Sequence, residues 1–494
     1  MSLINVNHLT FAYDGSYDPI FENVSFQIDT EWKLGFTGRN GCGKTTFLNL
    51  LQGKYEYSGT ISAKVAFDYF PFQVDDKSVM TMDAVEQIVA GCQSWRLVRE
   101  LNYLEVSEDV LYRPFDTLSH GEQAKILLAA LFLRENNFLL IDEPTNHLDR
   151  NARQIVSGYL RRKKGFILVS HDRVFLDACI DHILSINKTN IEVQKGNFST
   201  WYHNKERQDN WEMAENEKLL KNIKSMEAAA RRTASWSDAI EKRKSRNRGR
   251  DAGVKPDKGH IGAQAAKMMK RSKAAQRRKQ EGIEEKSKLL KNIERADSLK
   301  LHPLSFHTDS LITFEDVSIR YGEKQILSGL TFDVHRGERI ALQGRNGCGK
   351  SSVLKLICGL DVPFDGTVRR GSGLKISYVP QDAAGLSGSL DDYAAARNID
   401  QTLFKAILRK LDFSRIQFEK KMEDYSGGQK KKVLIAASLC EEAHLYVWDE
   451  PLNFIDVISR MQIEDLLLTY RPTLLFVEHD SAFCENTSTK IISL

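Results

Sequence analysis

One stretch of the chain occurs twice. ENVSFQIDTEWKLGFTGRNGCGKTTFLNLLQG, starting at Glu22, reappears as SGLTFDVHRGERIALQGRNGCGKSSVLKLICG, starting at Ser328. The copies begin roughly 300 residues apart, too far for a solenoid repeat and right for a duplicated domain. Each copy reads as short alternating strands, a strand entering a glycine-rich loop, and then an amphipathic helix. That helix carries Phe47, Leu48, Leu50 and Leu51 in the first copy and Val353, Leu354, Leu356 and Ile357 in the second. The pattern predicts an α/β chain with three parts: 1–200, a linker at 201–305 of different character, and 306–494.

The glycine-rich loops both satisfy GxxxxGK[ST]. In the first, Gly38, Asn40, Gly41, Gly43, Lys44, Thr45 and Thr46 are the candidate phosphate-binding residues. In the second they are Gly344, Asn346, Gly347, Gly349, Lys350, Ser351 and Ser352. Glycines let successive backbone N–H groups turn inward around phosphates, and the following helix offers its positive end. Lys44 and Lys350 are expected to reach the terminal phosphates, and Thr45 and Ser351 to offer a hydroxyl to Mg²⁺. A tight strand-to-helix turn could explain one such match, but not two in register with a repeat.

Downstream, each copy has an apolar strand ending in two carboxylates, FLLIDEP with Asp142 and Glu143 and LYVWDEP with Asp449 and Glu450. Asp142 and Asp449 are candidate Mg²⁺ ligands, and Glu143 and Glu450 candidate bases for an attacking water. A further strand in each copy ends in a histidine, ILVSHD with His171 and LLFVEHD with His479, which suits a γ-phosphate sensor. Alone, any one of these would read as an ordinary strand end; their order behind a phosphate loop gives them chemistry.

Composition narrows the class. Hydrophobic residues make up 41% and charged residues 28% of the 494, and no apolar run approaches the roughly 18 residues that span a bilayer. The start, MSLINVNHLTFAY, lacks a secretory pattern, so a cytoplasmic protein with no membrane partner is expected. Seven cysteines stand singly without metal-ligand spacing, as reduced thiols would.

Charge is concentrated in the linker. From Trp201 to Lys300 there are 27 Lys or Arg against 15 Asp or Glu, in a chain whose net charge is only +4. The densest stretch runs from Arg231 to Lys279, with 17 basic and 4 acidic residues. Leu219, Ile223, Met226 and Ala230 keep helical spacing before it, and Ile283, Leu290, Ile293 and Ala296 follow it more loosely. Between them SRNRGRDAGVKPDKGHIG is punctuated by Gly and Pro, so an antiparallel helical hairpin with a very basic tip is predicted. Such a density of positive charge suits phosphate neutralisation, and Trp236 could stack on an unpaired base. Charge alone does not separate RNA from DNA.

Two further motifs complete a resemblance. Leu118-Ser119-His120-Gly121-Glu122 and Tyr425-Ser426-Gly427-Gly428-Gln429 each precede a predicted helix. The order of phosphate loop, LSHGE or YSGGQ, DEP and HD resembles the ATP-binding cassette superfamily. That resemblance implies ATP hydrolysis in two composite sites, with each signature capping the nucleotide of the other cassette. Lys44 and Glu143 would face Ser426, Gly427, Gly428 and Gln429, while Lys350 and Glu450 would face Ser119, Gly121 and Glu122. It also implies adenine stacking on Tyr13 and Tyr321, metal sensing by Gln381, and a monomer whose cassettes pair within the chain. Three departures stand out: His120 replaces a glycine, YFPFQ carries an extra residue that displaces Gln73 and brings Phe72 toward the sensing position, and LNFID replaces TNHLD in the second cassette.

The tandem cassettes, the absent membrane segment and the charged linker resemble the ABC-F subfamily, and within it the antibiotic-resistance branch of the Lsa type. The stretches carrying this are WKLGF-GRNG-GKTT, LYRPF-TLS-GE, LLIDEPTNHLD, FILVSHDR, IGAQAAKMMKRSK and WDEPLNFID. The resemblance implies a 70S ribosome partner, binding in the exit site for tRNA with contacts to 23S rRNA and P-site tRNA. The hairpin tip would then dislodge lincosamides, pleuromutilins and streptogramin A, with Arg243 to His260 as the expected tip. Other members of the subfamily are housekeeping translation factors. Only 45 residues lie between Gln73 and Ser119, which leaves little room for their arm insertion, and the linker exceeds their usual length. A soluble subunit of a transporter would need no basic hairpin, and a DNA-repair ATPase would carry its coiled coil or zinc cysteines inside a cassette.

Overall fold

In the computed structural model the described residues are 2–13, 19–146, 148–187, 190–246, 277, 301, 303–322, 324–345, 347–383 and 385–494. They divide into two compact units, one made of 1–201 with 296–494 and the other of 202–295.

The first unit holds both repeats. In the first repeat β1 (Leu3–Phe11), β2 (Phe21–Asp29) and, later in the chain, β4 (Ser58–Ser62) form an antiparallel sheet in the order β2-β1-β4. The second sheet contains β3 (Lys33–Thr37), β5 (Ala66–Phe70), β6 (Asn137–Asp142), β7 (Phe166–Val169), β8 (His182–Asn187) and β9 (Asn190–Lys195), in the order β5-β6-β7-β3-β8-β9. All its pairings are parallel except β8 with β9. The second repeat copies this plan. β10 (Ser310–Tyr321), β11 (Lys324–His335) and β13 (Phe364–Arg370) form the antiparallel sheet. β12 (Arg339–Gln343), β14 (Ile376–Val379), β15 (Leu445–Asp449), β16 (Leu474–Val477) and β17 (Lys490–Ser493) form a parallel sheet, ordered β14-β15-β16-β12-β17.

Parallel strands covered on both faces need apolar residues throughout, which is why FLLI and LYVW are continuous runs rather than alternating ones. Every residue of β15 is buried, and Trp448 at its end is wholly enclosed. Each phosphate-loop helix, Lys44–Leu51 and Lys350–Ile357, presses its apolar side into the layer between its two sheets. The predicted residues Phe47, Leu48, Leu50 and Leu51 are buried there, as are Val353, Leu354, Leu356 and Ile357.

Helix caps account for much of what the repeat keeps constant. Ser119 and Glu122 form a reciprocal capping box, and so do Ser426 and Gln429; two of the signature residues thereby fix where helices His120–Leu131 and Gly427–Cys440 begin. Asp149 and Asp456 cap the next helices through Ala152 N (2.8 Å) and Ser459 N (2.9 Å). Asp172 and Asp480 cap Arg173–Cys179 and Ser481–Thr487 in the same way.

In the other unit the described part is mainly the helix Phe198–Arg246, which begins in the first unit. It covers the predicted run of Leu219 and Ile223, and Ile223 is buried. The predicted tip from Arg243 to His260 lies largely outside the described residues, as does the returning pattern from Ile283 to Ala296. Among the described residues no helix is long and apolar enough to cross a membrane.

Candidate nucleotide sites between two cassettes

The second phosphate loop and the first signature line one cleft of about 900 Å³. Gly347, Gly349, Lys350, Ser351 and Ser352 enter it from one repeat, and Ser119, His120, Gly121 and Glu122 from the other. Gln381, Glu450, His479 and Tyr321 complete the wall on the phosphate-loop side. Gly344 opens the same loop, while Asn346 lies outside the described residues. Tyr321 Oη is 3.2 Å from Ser352 Oγ, which sets the ring beside the start of the phosphate-loop helix. Lys350 Nζ donates to Gly344 O and Arg345 O, at 2.8 and 3.0 Å. The His120 substitution leaves the helix start intact, because His120 is simply its first residue.

The first phosphate loop meets the second signature more tightly. Asn40 Nδ2 donates 2.6 Å across to Phe454 O, and Arg39 pairs with Asp412 at 3.2 Å. A Cβ added to Gly428 would come 2.6 Å from that same carbonyl and 3.4 Å from Asn40 Nδ2, so only glycine fits. Gly427 packs beside the Phe454 ring. Lys44 Nζ again donates to its own loop, to Gly38 O (2.7 Å) and Arg39 O (2.9 Å). Gly43 needs its lack of side chain: φ is 99°, and a Cβ would lie 2.5 Å from Ile20. Gly41 follows in the exposed turn. Tyr13 Oη bonds Thr46 Oγ1 at 2.8 Å, and its ring meets Phe11 and Tyr55 edge to face.

Both DEP carboxylate pairs sit at the strand ends facing the loops. Thr45 Oγ1 donates to Asp142 Oδ2 at 3.2 Å, and Tyr69 Oη donates to the same oxygen at 2.8 Å. Both oxygens of Asp449 are buried, with the Ser351 hydroxyl facing them. Burial raises the carboxyls of Asp142 and Asp449 above their ordinary range. A buried carboxylate beside a phosphate-loop hydroxyl is a hard-oxygen donor set that fits Mg²⁺, which keeps its other positions for water and phosphate oxygens.

The two glutamates differ. Burial, joined by the charge of Asp142, pushes Glu143 up to about 8. Burial acts on Glu450 in the same sense, but His479, Gln381 and Asn453 overcome it and hold the group at about 2. Asn453 Nδ2 donates to Glu450 Oε2 at 2.6 Å, and His479 Nε2 lies 3.4 Å from Oε1. His171 Nε2 lies 3.3 Å from Glu143 Oε1, yet that oxygen is buried without a hydrogen bond. Burial, with Lys44 and Arg460 adding to it, carries His171 well below the usual imidazole range. Both glutamates hold left-handed backbone, with φ of 49° and 46°. Gln73, expected to be displaced, is exposed, and Tyr69 is the polar group found on Asp142.

The family model for the ABC transporter family matches this chain twice, over residues 21–146 and 327–453. The chain belongs to that family. Like its other members, this ABC protein is an ATPase. It is 28% identical to the ribosome protection protein VmlR of Bacillus subtilis (strain 168), over 97% of this chain and 84% of that one. ABC transporter F family member 2 of Arabidopsis thaliana is 24% identical, over 99% and 76%. At this low identity the ABC protein groups with the ABC-F family ATPases. The archaeal ribosome recycling factor aABCE1, in its complex with ribosomal stalk protein aP1, shares the fold with a TM-score of 0.62 at 20% identity, over 98% and 87% of the chains.

Several site residues escape sequence reasoning. Tyr69 opens the YFPFQ stretch, in the strand paired with the DEP strand, but that stretch pointed only to Phe72 and Gln73. Phe454 lies in the divergent LNFID loop, where only the substitution itself hinted at a difference. Thr145 and Ser170 share a hydroxyl contact of 3.3 Å in the first cassette; Leu452 and Glu478 replace them in the second, where Glu478 accepts from Leu452 N at 2.7 Å. Arg153 and Arg460 had no signal apart from their matching position after the loop aspartates.

Proposed function

We propose that this ABC-F-type ATPase acts on the bacterial ribosome and protects it from antibiotics bound at the peptidyl-transferase centre. The reading rests on one observation above all: the second phosphate loop and the first signature line a single cleft. Nucleotide bound there would touch both cassettes, so binding favours their closure and hydrolysis ends it. In the proposed division the cassettes are 1–200 and 306–494, and the basic linker 201–305 is what their closure aims. Its charge suits ribosomal and transfer RNA, and VmlR carries the name of a ribosome protection protein. The setting would be the cytoplasm, and the chain would act as a monomer.

In the proposed sites the backbone N–H groups from Gly38 to Thr46 and from Gly344 to Ser352, with Lys44 and Lys350, hold the phosphates. The signature helix starts at Ser119–Glu122 and Ser426–Gln429 present their positive ends from the opposite side. Tyr13 and Tyr321 stack the adenine. Thr45 with Asp142, and Ser351 with Asp449 and Gln381, would hold Mg²⁺, which supplies charge neutralisation at the phosphates. Glu143 and Glu450 orient the attacking water and accept its proton, and His171 and His479 position them and sense the γ-phosphate.

Expression in a susceptible strain tests the drug reading, with inhibitory concentrations measured for lincomycin, tiamulin and virginiamycin M. A rise for any of the three is the expected result; unchanged values for all three refute protection and leave a housekeeping translation factor. Co-sedimentation tests the ribosomal reading separately. A Glu143→Gln, Glu450→Gln double variant with ATP should pellet with 70S ribosomes, and pelleting with membranes or DNA instead would refute it.

A further inference from the structure

Two arginines outside every motif occupy equivalent places in the repeat. Arg153 and Arg460 each lie four residues past the loop aspartate that caps their helix, Asp149 and Asp456. Both are mostly buried, with 13% and 12% of the side chain exposed. Arg153 Nε donates to Leu148 O at 3.1 Å, and Nη1 donates to Asp172 Oδ2 at 3.0 Å. The same Nη1 reaches across to the second cassette, donating to the backbone oxygen of His479 at 3.3 Å. Arg460 repeats the intracassette pattern, with Nε to Ile455 O at 2.9 Å, Nη2 to Leu452 O at 3.0 Å and Nη1 to Asp480 Oδ2 at 3.2 Å.

Each guanidinium therefore ties the loop before its helix to the aspartate following its own cassette's histidine, and Arg153 adds the histidine of the other cassette. A planar fork with fixed donors holds such an arrangement rigidly, which a lysine would not do. From Arg153 the line runs through His479 to Glu450, whose Oε1 is 3.4 Å from His479 Nε2. Arg460, by contrast, bonds only within its own cassette among the contacts described above.

We propose that Arg153 is a positioning residue that couples the two clefts, setting the histidine and glutamate of the opposite cassette. The proposal rests on the assignment of Glu143 and Glu450 as the two hydrolytic carboxylates. Arg153 borders the cleft, but its Nε and Nη1 are committed to Leu148 O, Asp172 and His479 O, so the effect should fall on turnover more than on ATP affinity.

The test isolates one cleft at a time in the full-length protein. With Glu143→Gln present, only the Glu450 cleft turns over; there Arg153→Lys should lower kcat roughly tenfold with KM within about twofold, and Arg460→Lys should change little. With Glu450→Gln present, Arg153→Lys should change little. A residue serving stability alone would lower both clefts alike and lower the melting temperature in proportion; that outcome overturns the proposal, as does the absence of any crossed effect. The Glu143→Gln, Glu450→Gln double variant run alongside reports on the carboxylates themselves. If it retains wild-type turnover their assignment fails, and the coupling proposal falls with it.

Discussion

Lys432 is expected to be the costliest single cation to remove from the second cassette. It lies on the signature helix, and its Nζ is 3.2 Å from Asp456 Oδ2, with 4% and 0% of the two side chains exposed. At that separation, and with the effective dielectric of about 20 that suits buried pairs, the attraction is about 5 kcal/mol. Desolvation offsets much of it in the intact protein. Lys432→Met keeps the desolvation and loses the partner, and breaking such a pair costs about 3–5 kcal/mol. Asp456 still accepts from Ser459 N (2.9 Å) and Ser459 Oγ (3.0 Å), so we expect the lower end, about 3 kcal/mol. Adding Asp456→Asn removes the stranded charge while retaining a capping side chain, and should recover most of the loss. The pH dependence carries a sign. Burial pushes the Asp456 carboxyl up, but Lys432 and the Ser459 N–H hold it well below its usual range. Its contribution is thus present above pH 3.8 and is lost only as acid reaches the lower folded value. Without Lys432 burial prevails, the carboxyl protonates at higher pH, and the deficit shrinks as pH falls. Urea unfolding of the single and double variants at pH 7.5 and pH 5, followed by circular dichroism, measures all of this. Equal deficits at both pH values, or a double variant no better than the single, would refute the reasoning.

Other expectations concern the first cassette and its cleft. Tyr159→Phe removes the 2.9 Å bond to the buried Glu100, whose carboxyl burial would raise but Lys163 and Tyr159 hold low; thermal melts should show a loss of about 1 kcal/mol at neutral pH that disappears once acid protonates Glu100. Gly428→Ala should lower the melting temperature of the nucleotide-free protein, because its Cβ meets Phe454 O at 2.6 Å, whereas Gly121→Ala, with Leu148 at 3.5 Å, should leave it unchanged. Tyr69→Phe removes one of the two hydroxyls that donate to Asp142 Oδ2, so in a Glu450→Gln background the Mg²⁺ concentration for half-maximal ATPase should fall about fivefold, as expected for one competing hydrogen bond. Titration of Mg²⁺ into chelator-treated protein measures it.

What could be read in the sequence was local. Phosphate-loop glycines, strand-end carboxylates and the apolar side of each loop helix are set by backbone geometry and burial within one cassette, and Phe47 or Leu354 announces itself by spacing. Capping was legible too, since Ser119 with Glu122 and Ser426 with Gln429 follow the capping-box spacing that any helix start can use. The resemblance set each phosphate loop against the other signature, but the side-chain contacts that join the cassettes were not legible. Asn40 meets Phe454, Arg39 meets Asp412 and Arg153 meets His479 only because two folded halves bring them together; before that, an arginine on a helix reads as a solvated charge. The difference between Glu143 and Glu450 was also hidden. Both follow the same Asp in the same motif, and they diverge because His479, Gln381 and Asn453 hold one of them low while burial and Asp142 prevail at the other.

The junction of Asn40 with Phe454 and the cleft shared by Lys350 and Ser119 have a consequence for how such a chain can diversify. In an assembly of identical subunits, one sequence must serve both halves of every site. Here each phosphate loop meets a signature of separate sequence, always the same one, because both are carried on a single polypeptide. His120 therefore never has to serve the first loop, and Phe454 O accepts from Asn40 of that first loop. Covalent linkage frees each half-site to specialise for one fixed neighbour, so a timer and a clamp could be assigned to different ends of the same molecule without changing the fold.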